Sequence, residues 1–208
     1  MLLTVMDPPW DADAGGGRRG AQTHYPLAGV DGIAQVIRTA PFWRDDGDAL
    51  VFMWATALAL HAGDAHALAN RLNVRVCAGF VWAKIDRTVD AGEIQWFKAP
   101  ARMGLGQWSR CEHEHLLVCR RGDVPVPSPK MRQRSMIYAP RGVHSAKPDE
   151  AWRVIEETAH GSIDYVRGGV EIFARRRRRG WGAWGHLDGP EQPARLELAA
   201  EGELWAMS

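Results

Sequence analysis

The chain has 208 residues, of which 46% are hydrophobic and 25% charged, with a formal net charge of +1. These values suit one soluble α/β domain with a sizeable core. The near-zero charge does not by itself single out a nucleic-acid binder, and the longest apolar stretch, Ala49 to Leu60, is too short to span a membrane.

The short apolar run Leu2 to Met6 reads as a buried parallel strand. Residues Asp11 to His24 are rich in Gly and Arg and read as a loop. Val30 to Thr39 has helical spacing. Ala49 to Thr56 reads as a second apolar strand, Ala57 to Leu72 as one Ala- and Leu-rich helix, and Arg75 to Lys84 as a third strand. Ile85 to Gly106 lacks periodicity and reads as a second long loop. His113 to Cys119 and Ser135 to Tyr138 are further strands. Asp149 to Thr158 is a helix with Pro148 near its start, as helix starts prefer. Gly169 to Ala174 and Trp181 to Trp184 close the series. Residues 1–189 form one domain by this reading, and 190–208 an acidic tail. Strands alternating with helices argue for a mostly parallel, doubly wound sheet, whose ligands sit outside the C-terminal strand ends. Asp7 and Arg175 both fall at such ends.

The first strand runs into Asp7-Pro8-Pro9-Trp10. An acid followed by two prolines offers a carboxylate and a backbone carbonyl that no neighbouring N–H competes for. An exocyclic amine has two N–H donors and needs two acceptors, which Asp7 and the Pro8 carbonyl supply. Trp10 adds a flat apolar face for a ring. Ten Trp in all suit both a core and a protein that stacks on bases. Three Cys (Cys77, Cys111, Cys119), odd in number and without metal-type spacing, suggest reduced thiols in a cytoplasmic protein. Cys111-Glu112-His113-Glu114-His115 has the composition of a metal cluster. Alternation along a strand sends neighbours to opposite faces, so no three of these converge, and no metal is expected.

Further segments follow in a fixed order: Gly104 to Arg110, Glu114 to Val118, Arg121-Gly122, His144 to Glu150, Glu171-Ile172-Phe173-Ala174-Arg175, and Gly180 to Gly185. With DPPW first and the Glu-Ile-Phe-Ala-Arg strand last, the chain resembles the DPPW-type N6-adenine methyltransferases of the MT-A family, from about Val5 to about Gly189. The resemblance implies a Rossmann-like methyltransferase fold with its motifs in permuted order, and S-adenosylmethionine as cofactor. It implies that Asp7, Pro8, Pro9 and Trp10 form the catalytic segment, and that Trp10 and Tyr25 stack on the target base. Such stacking contributes roughly 1–3 kcal/mol per base. It also assigns Asp7, Lys147, Glu171, Phe173, Arg175 and His186 to the cofactor. Arg18, Arg19, Arg110, Arg176, Arg177 and Arg178 are expected at the nucleic acid.

The chain departs from the family in two places. Larger members carry an extra strand before DPPW with an acid that reaches the cofactor, whereas only six residues precede Asp7 here. Where the family has Gly-Asn-Gln or Gly-Asn-Glu, this chain has Gly185-His186-Leu187-Asp188. The expected activity is methylation of adenine N6 in DNA. The alternatives are an RNA adenine methyltransferase or a silent nucleic-acid-binding or scaffold subunit. A glutamine methyltransferase is disfavoured, because those enzymes carry Asn-Pro-Pro-Tyr. The expected partners are DNA, single-stranded or with a flipped base, and a second subunit, either another copy or a distinct partner.

Overall fold

A computed structural model describes residues 1–10, 29–85, 111–142, 146–163 and 168–185. A seven-stranded sheet runs in the order β5-β3-β4-β2-β1-β6-β7. Its strands are β1 (Leu2–Met6), β2 (Ala49–Thr56), β3 (Arg75–Ile85), β4 (His113–Arg121), β5 (Met136–Pro140), β6 (Val170–Ile172) and β7 (Gly182–Trp184). The helices are α1 (Val30–Arg38), α2 (Ala57–His61), α3 (Asp64–Arg71) and α4 (Asp149–Ile163).

The first and nearly last strands meet in mid-sheet, with Thr4 opposite Val170 and Met6 opposite Ile172. The Thr4 hydroxyl donates to the Val170 carbonyl at 2.7 Å, at a wholly buried position. Four of the six strand pairings are parallel. The exception is β4, which runs antiparallel to both β2 and β3. Its N-terminal residues therefore lie beside the C-terminal ends of its neighbours, and Glu114 pairs with Thr56, the last residue of β2.

Two apolar layers flank the sheet. Ile33, Ala34 and Ile37 of α1 and Ala65, Leu68 and Ala69 of α3 pack on one side, against Met6, Val51, Met53 and Ile172. On the other side, Ala151, Trp152, Ile155 and Ala159 form one stripe of α4 and meet Leu3, Val5, Phe52 and Trp54. Each of the large side chains in these stripes contributes about 1.5–3 kcal/mol by leaving water. Trp10, Trp43, Trp54, Trp82, Trp152, Trp181 and Trp184 are all buried. Tryptophan in the described residues is therefore core material.

The helix expected over Ala57 to Leu72 is two helices. Thr56 caps the first, its hydroxyl accepting from the Ala59 N–H at 3.1 Å. Gly63 then adopts φ +87°, which no regular helix contains, and α3 starts anew at Asp64. The strand expected over His113 to Cys119 extends to Arg121, whose guanidinium donates to the carbonyls of Arg44, Asp46, Gly47 and Leu72. Those four acceptors replace the water a buried cation would lose.

Candidate active site

The chain leaves β1 toward α1 on one side of the sheet and enters β6 from α4 on the other. The crevice beyond the C-terminal ends of β1 and β6 is thus a topological switch point, where open α/β sheets bind ligands. A cleft of about 990 Å³ opens there, lined by Asp7, Lys147, Glu171, Phe173 and Arg175 among others.

Period-two alternation selects which side chains reach it. Leu3 and Val5 face α4, so Asp7, two residues on, points the same way. Glu171, paired with Val5 across the β1–β6 ladder, does likewise. On β4, Leu116 and Val118 face α4, which puts Glu114 on that side and His113 and His115 on the other. The two His rings meet edge to face, 5.0 Å apart. Among the described residues no three His, Cys, Asp or Glu gather as a metal site. On β3, Phe80 and Trp82 face α4 and Lys84 continues their row.

These placements create a chain of alternating charge. The Lys147 ammonium lies 3.0 Å from Asp7 Oδ2 and 2.7 Å from Glu114 Oε2. The other oxygen of Glu114, Oε1, lies 2.6 Å from Lys84 Nζ. Two indoles floor it: Lys147 sits 4.9 Å above the Trp54 ring and Lys84 5.2 Å above that of Trp82. Burial alone would raise the Glu114 carboxyl, but the two lysines outweigh it and hold the pKa at about 2. For Lys147, burial disfavours the charge, yet Asp7 and Glu114 prevail and the pKa rises above its ordinary value. Burial lifts the Asp7 carboxyl, Lys147 opposes that, and Glu114 adds to it. Burial and the nearby Asp7 charge push Glu171 up to about 7. The positive charge of Lys147 just ahead of α4 would be unfavourable beside the helix dipole. The two carboxylates offset it.

Of the sequence-selected residues, Asp7, Lys147, Glu171, Phe173 and Arg175 share the cleft. Phe173 takes φ +63°, unusual for an aromatic residue, at the turn where the chain leaves β6. Pro8 and Pro9 are buried at the end of β1. Trp10 is only 3% exposed and donates its indole N–H to the Trp54 carbonyl at 3.0 Å. It ties the DPPW segment to β2, and stacking on a base would require it to leave this seat. Arg176 and Arg177 are exposed on the cleft rim. Arg178, expected at nucleic acid, is bound to Asp149 at 2.6 Å and stacked 4.5 Å over Trp152, so it ties the β6–β7 connection to α4. Tyr25, His186, Arg18, Arg19 and Arg110 lie outside the described residues. The resemblance puts Glu114 and His115 near the substrate face; Glu114 reaches Lys147, and His115 points to the other side of the sheet. Lys84 is not among the residues drawn from sequence, and its signal is strand parity, which can be read only once β4 is known to run backwards.

The MT-A70 family model matches residues 2–187, nearly the whole chain. The chain belongs to the MT-A70 family. A further relative is the Type II methyltransferase M.MunI of Mycoplasma sp, 26% identical over 222 aligned positions that cover 97% of this chain and 82% of that protein. The MT-A70 cofactor, S-adenosylmethionine, carries a carboxylate, an ammonium and ribose hydroxyls. The cleft is of the size that holds such a molecule, and both cations (Lys147, Arg175) and acids (Asp7, Glu171) line it. The donor set fits.

Proposed function

We propose that this chain transfers a methyl group from S-adenosylmethionine to the N6 amine of adenine in DNA. One observation carries the reading: the Asp7 carboxylate stands at the open end of β1, in the cleft, paired to Lys147 at 3.0 Å. The cofactor supplies a methyl group on a sulfonium, which is already a good leaving group. The weak partner is the amine, whose lone pair is delocalised into the adenine ring.

Asp7 and the Pro8 carbonyl accept the two amine hydrogens and draw the nitrogen toward a tetrahedral geometry. The freed lone pair then points at the methyl carbon. Asp7 need not take a proton before transfer; holding the amine in line is enough, and alignment of this kind is worth about 7–11 kcal/mol at its upper range. As the N–C bond forms the C–S bond breaks to a neutral thioether, and the extra proton on the methylated nitrogen leaves afterwards to water. Burial lifts the Asp7 carboxyl, and Lys147 opposes that rise, which favours the ionised, accepting form. Glu171 accepts from ribose hydroxyls, Arg175 and His186 bind the cofactor, and Tyr25 stacks on the base. Arg18, Arg19, Arg110, Arg176 and Arg177 meet phosphates. N6 of a paired adenine lies at the groove edge, where in-line approach is blocked, so the base is flipped out or already unpaired. A second copy of the chain supplies the surface needed for efficient work on a duplex.

The test is incubation with methyl-labelled cofactor and either DNA or RNA, followed by digestion to nucleosides. Label in N6-methyldeoxyadenosine is expected. Label in N6-methyladenosine from RNA alone would overturn the substrate, and label in neither would overturn the activity.

A further inference from the structure

Lys84 takes no part in the reaction as described, yet it is 7% exposed at the end of β3, a costly place for an ammonium. Its partner Glu114 divides its two oxygens, Oε1 to Lys84 at 2.6 Å and Oε2 to Lys147 at 2.7 Å. Only the second of these cations touches Asp7. A carboxylate with one cation at its side would draw that cation fully onto itself. A carboxylate between two cations shares them, and Lys147 remains free to lean on Asp7.

We propose that Lys84 is a positioning residue: by holding one oxygen of Glu114 it fixes where the Lys147 ammonium stands against Asp7, the carboxylate that grips the target amine. The inference rests on the proposed methyl transfer for its meaning, but on the geometry alone for its content. The rigid members support it. Lys84 lies over Trp82, whose N–H donates to the Ala139 carbonyl at 2.8 Å, and Trp82 meets Trp54 edge to face at 6.1 Å. Trp54 in turn underlies Lys147. Both lysines thus stand on one aromatic floor at a fixed spacing. The charges that act on Asp7 are Lys147 ahead of α4, Glu114 on β4 and Arg175 beyond β6. Glu171 on β6 is coupled to Asp7 as well.

Removing Lys84 leaves Glu114 with Lys147 alone, so Asp7 faces more uncompensated negative charge. Neutralising Glu114 does the reverse. The test is a carboxyl 13C NMR titration of the full cofactor-free chain, with Asp7 assigned through Asp7→Asn. In Lys84→Met the Asp7 midpoint should rise, by up to roughly one pH unit. In Glu114→Gln it should fall, and Lys84→Arg should titrate like the parent. A merely structural role would not move Asp7 in opposite directions in the two variants. If Lys84→Met does not fold, Lys84→Gln takes its place. An Asp7 midpoint unchanged in the folded Lys84 variant, or shifted the same way in Glu114→Gln, would overturn the proposal. In turnover, the acid limb of the kcat profile should move up in Lys84→Met with KM little changed. Absence of turnover in the parent protein would sink the proposed function and leave the titrations to judge Lys84.

Discussion

Lys147 is the residue on which the site turns, because two carboxylates depend on one ammonium. Its side chain is 11% exposed and that of Glu114 17%. Lys147→Met removes the shared cation and leaves mutually repelling acids, so we expect a loss of about 3–5 kcal/mol in chemical denaturation. A loss under about 1 kcal/mol would place the pair at the level of surface ion pairs and contradict this account. The sequence motifs pointed to Asp7, Lys147 and Glu171 because each sits in a segment shared with the MT-A family. Glu114, in the segment Glu114 to Val118, is legible through the same resemblance, but Lys84 is not, for a physical reason. A Lys at a strand end carries no signal until the pairing partners are known. Trp10 is ambiguous in sequence for the opposite reason: an aromatic after two prolines reads equally as a platform or as packing, and its N–H bond to the Trp54 carbonyl seats it in the core.

At the scale of elements, β1 and β2 were legible to the residue, since continuous apolar runs bounded by polar residues admit little else. The reversal of β4 was not, because a buried strand shows the same apolar run in either direction. That reversal matters most for the site, since it delivers Glu114 to the C-terminal edge. The α2–α3 break was missed because Ala-Gly-Asp within an Ala-rich stretch looks like a tolerated glycine. Its φ of +87° makes a test. Nothing crowds a Cβ at Gly63, so Gly63→Ala should cost only the left-handed strain, about 1–2 kcal/mol, seen as a lower denaturation midpoint with unchanged slope. No loss at all would mean that the break is not fixed.

For the whole molecule, buried charge sets how stability follows pH. Glu171 titrates near 7 when folded and near its ordinary 4.5 when unfolded. Its folded pKa is raised, so the folded state binds the proton first, and this group's cost at high pH is relieved as pH falls from about 7 toward 4.5. Glu171→Gln should therefore be more stable than the parent at pH 8 by up to about 3 kcal/mol, and the gap should close as pH falls below about 4. Equal Tm differences at both pH values would contradict the assignment. Glu114 acts oppositely: its stabilisation is present above about 4.5 and is lost as pH falls through about 2. Function at this scale concerns access to the base. Single-stranded or mismatched DNA should be methylated faster than a matched duplex, since unpairing costs a few kcal/mol. Specific activity on duplex should rise with protein concentration. Equal rates on both substrates, independent of concentration, would remove the need for a second copy.

The most direct test of the central claim, that Asp7 holds an adenine amine for methyl transfer, is methylation-sensitive sequencing of DNA from a host expressing either the parent chain or Asp7→Ala. The Asp7 side chain as a whole is 35% exposed at a strand end and packs little of the core, so the variant should remain folded. N6-methyladenine is expected in one sequence context with the parent and in none with Asp7→Ala. The same mark at near-parental level with the variant would contradict the claim.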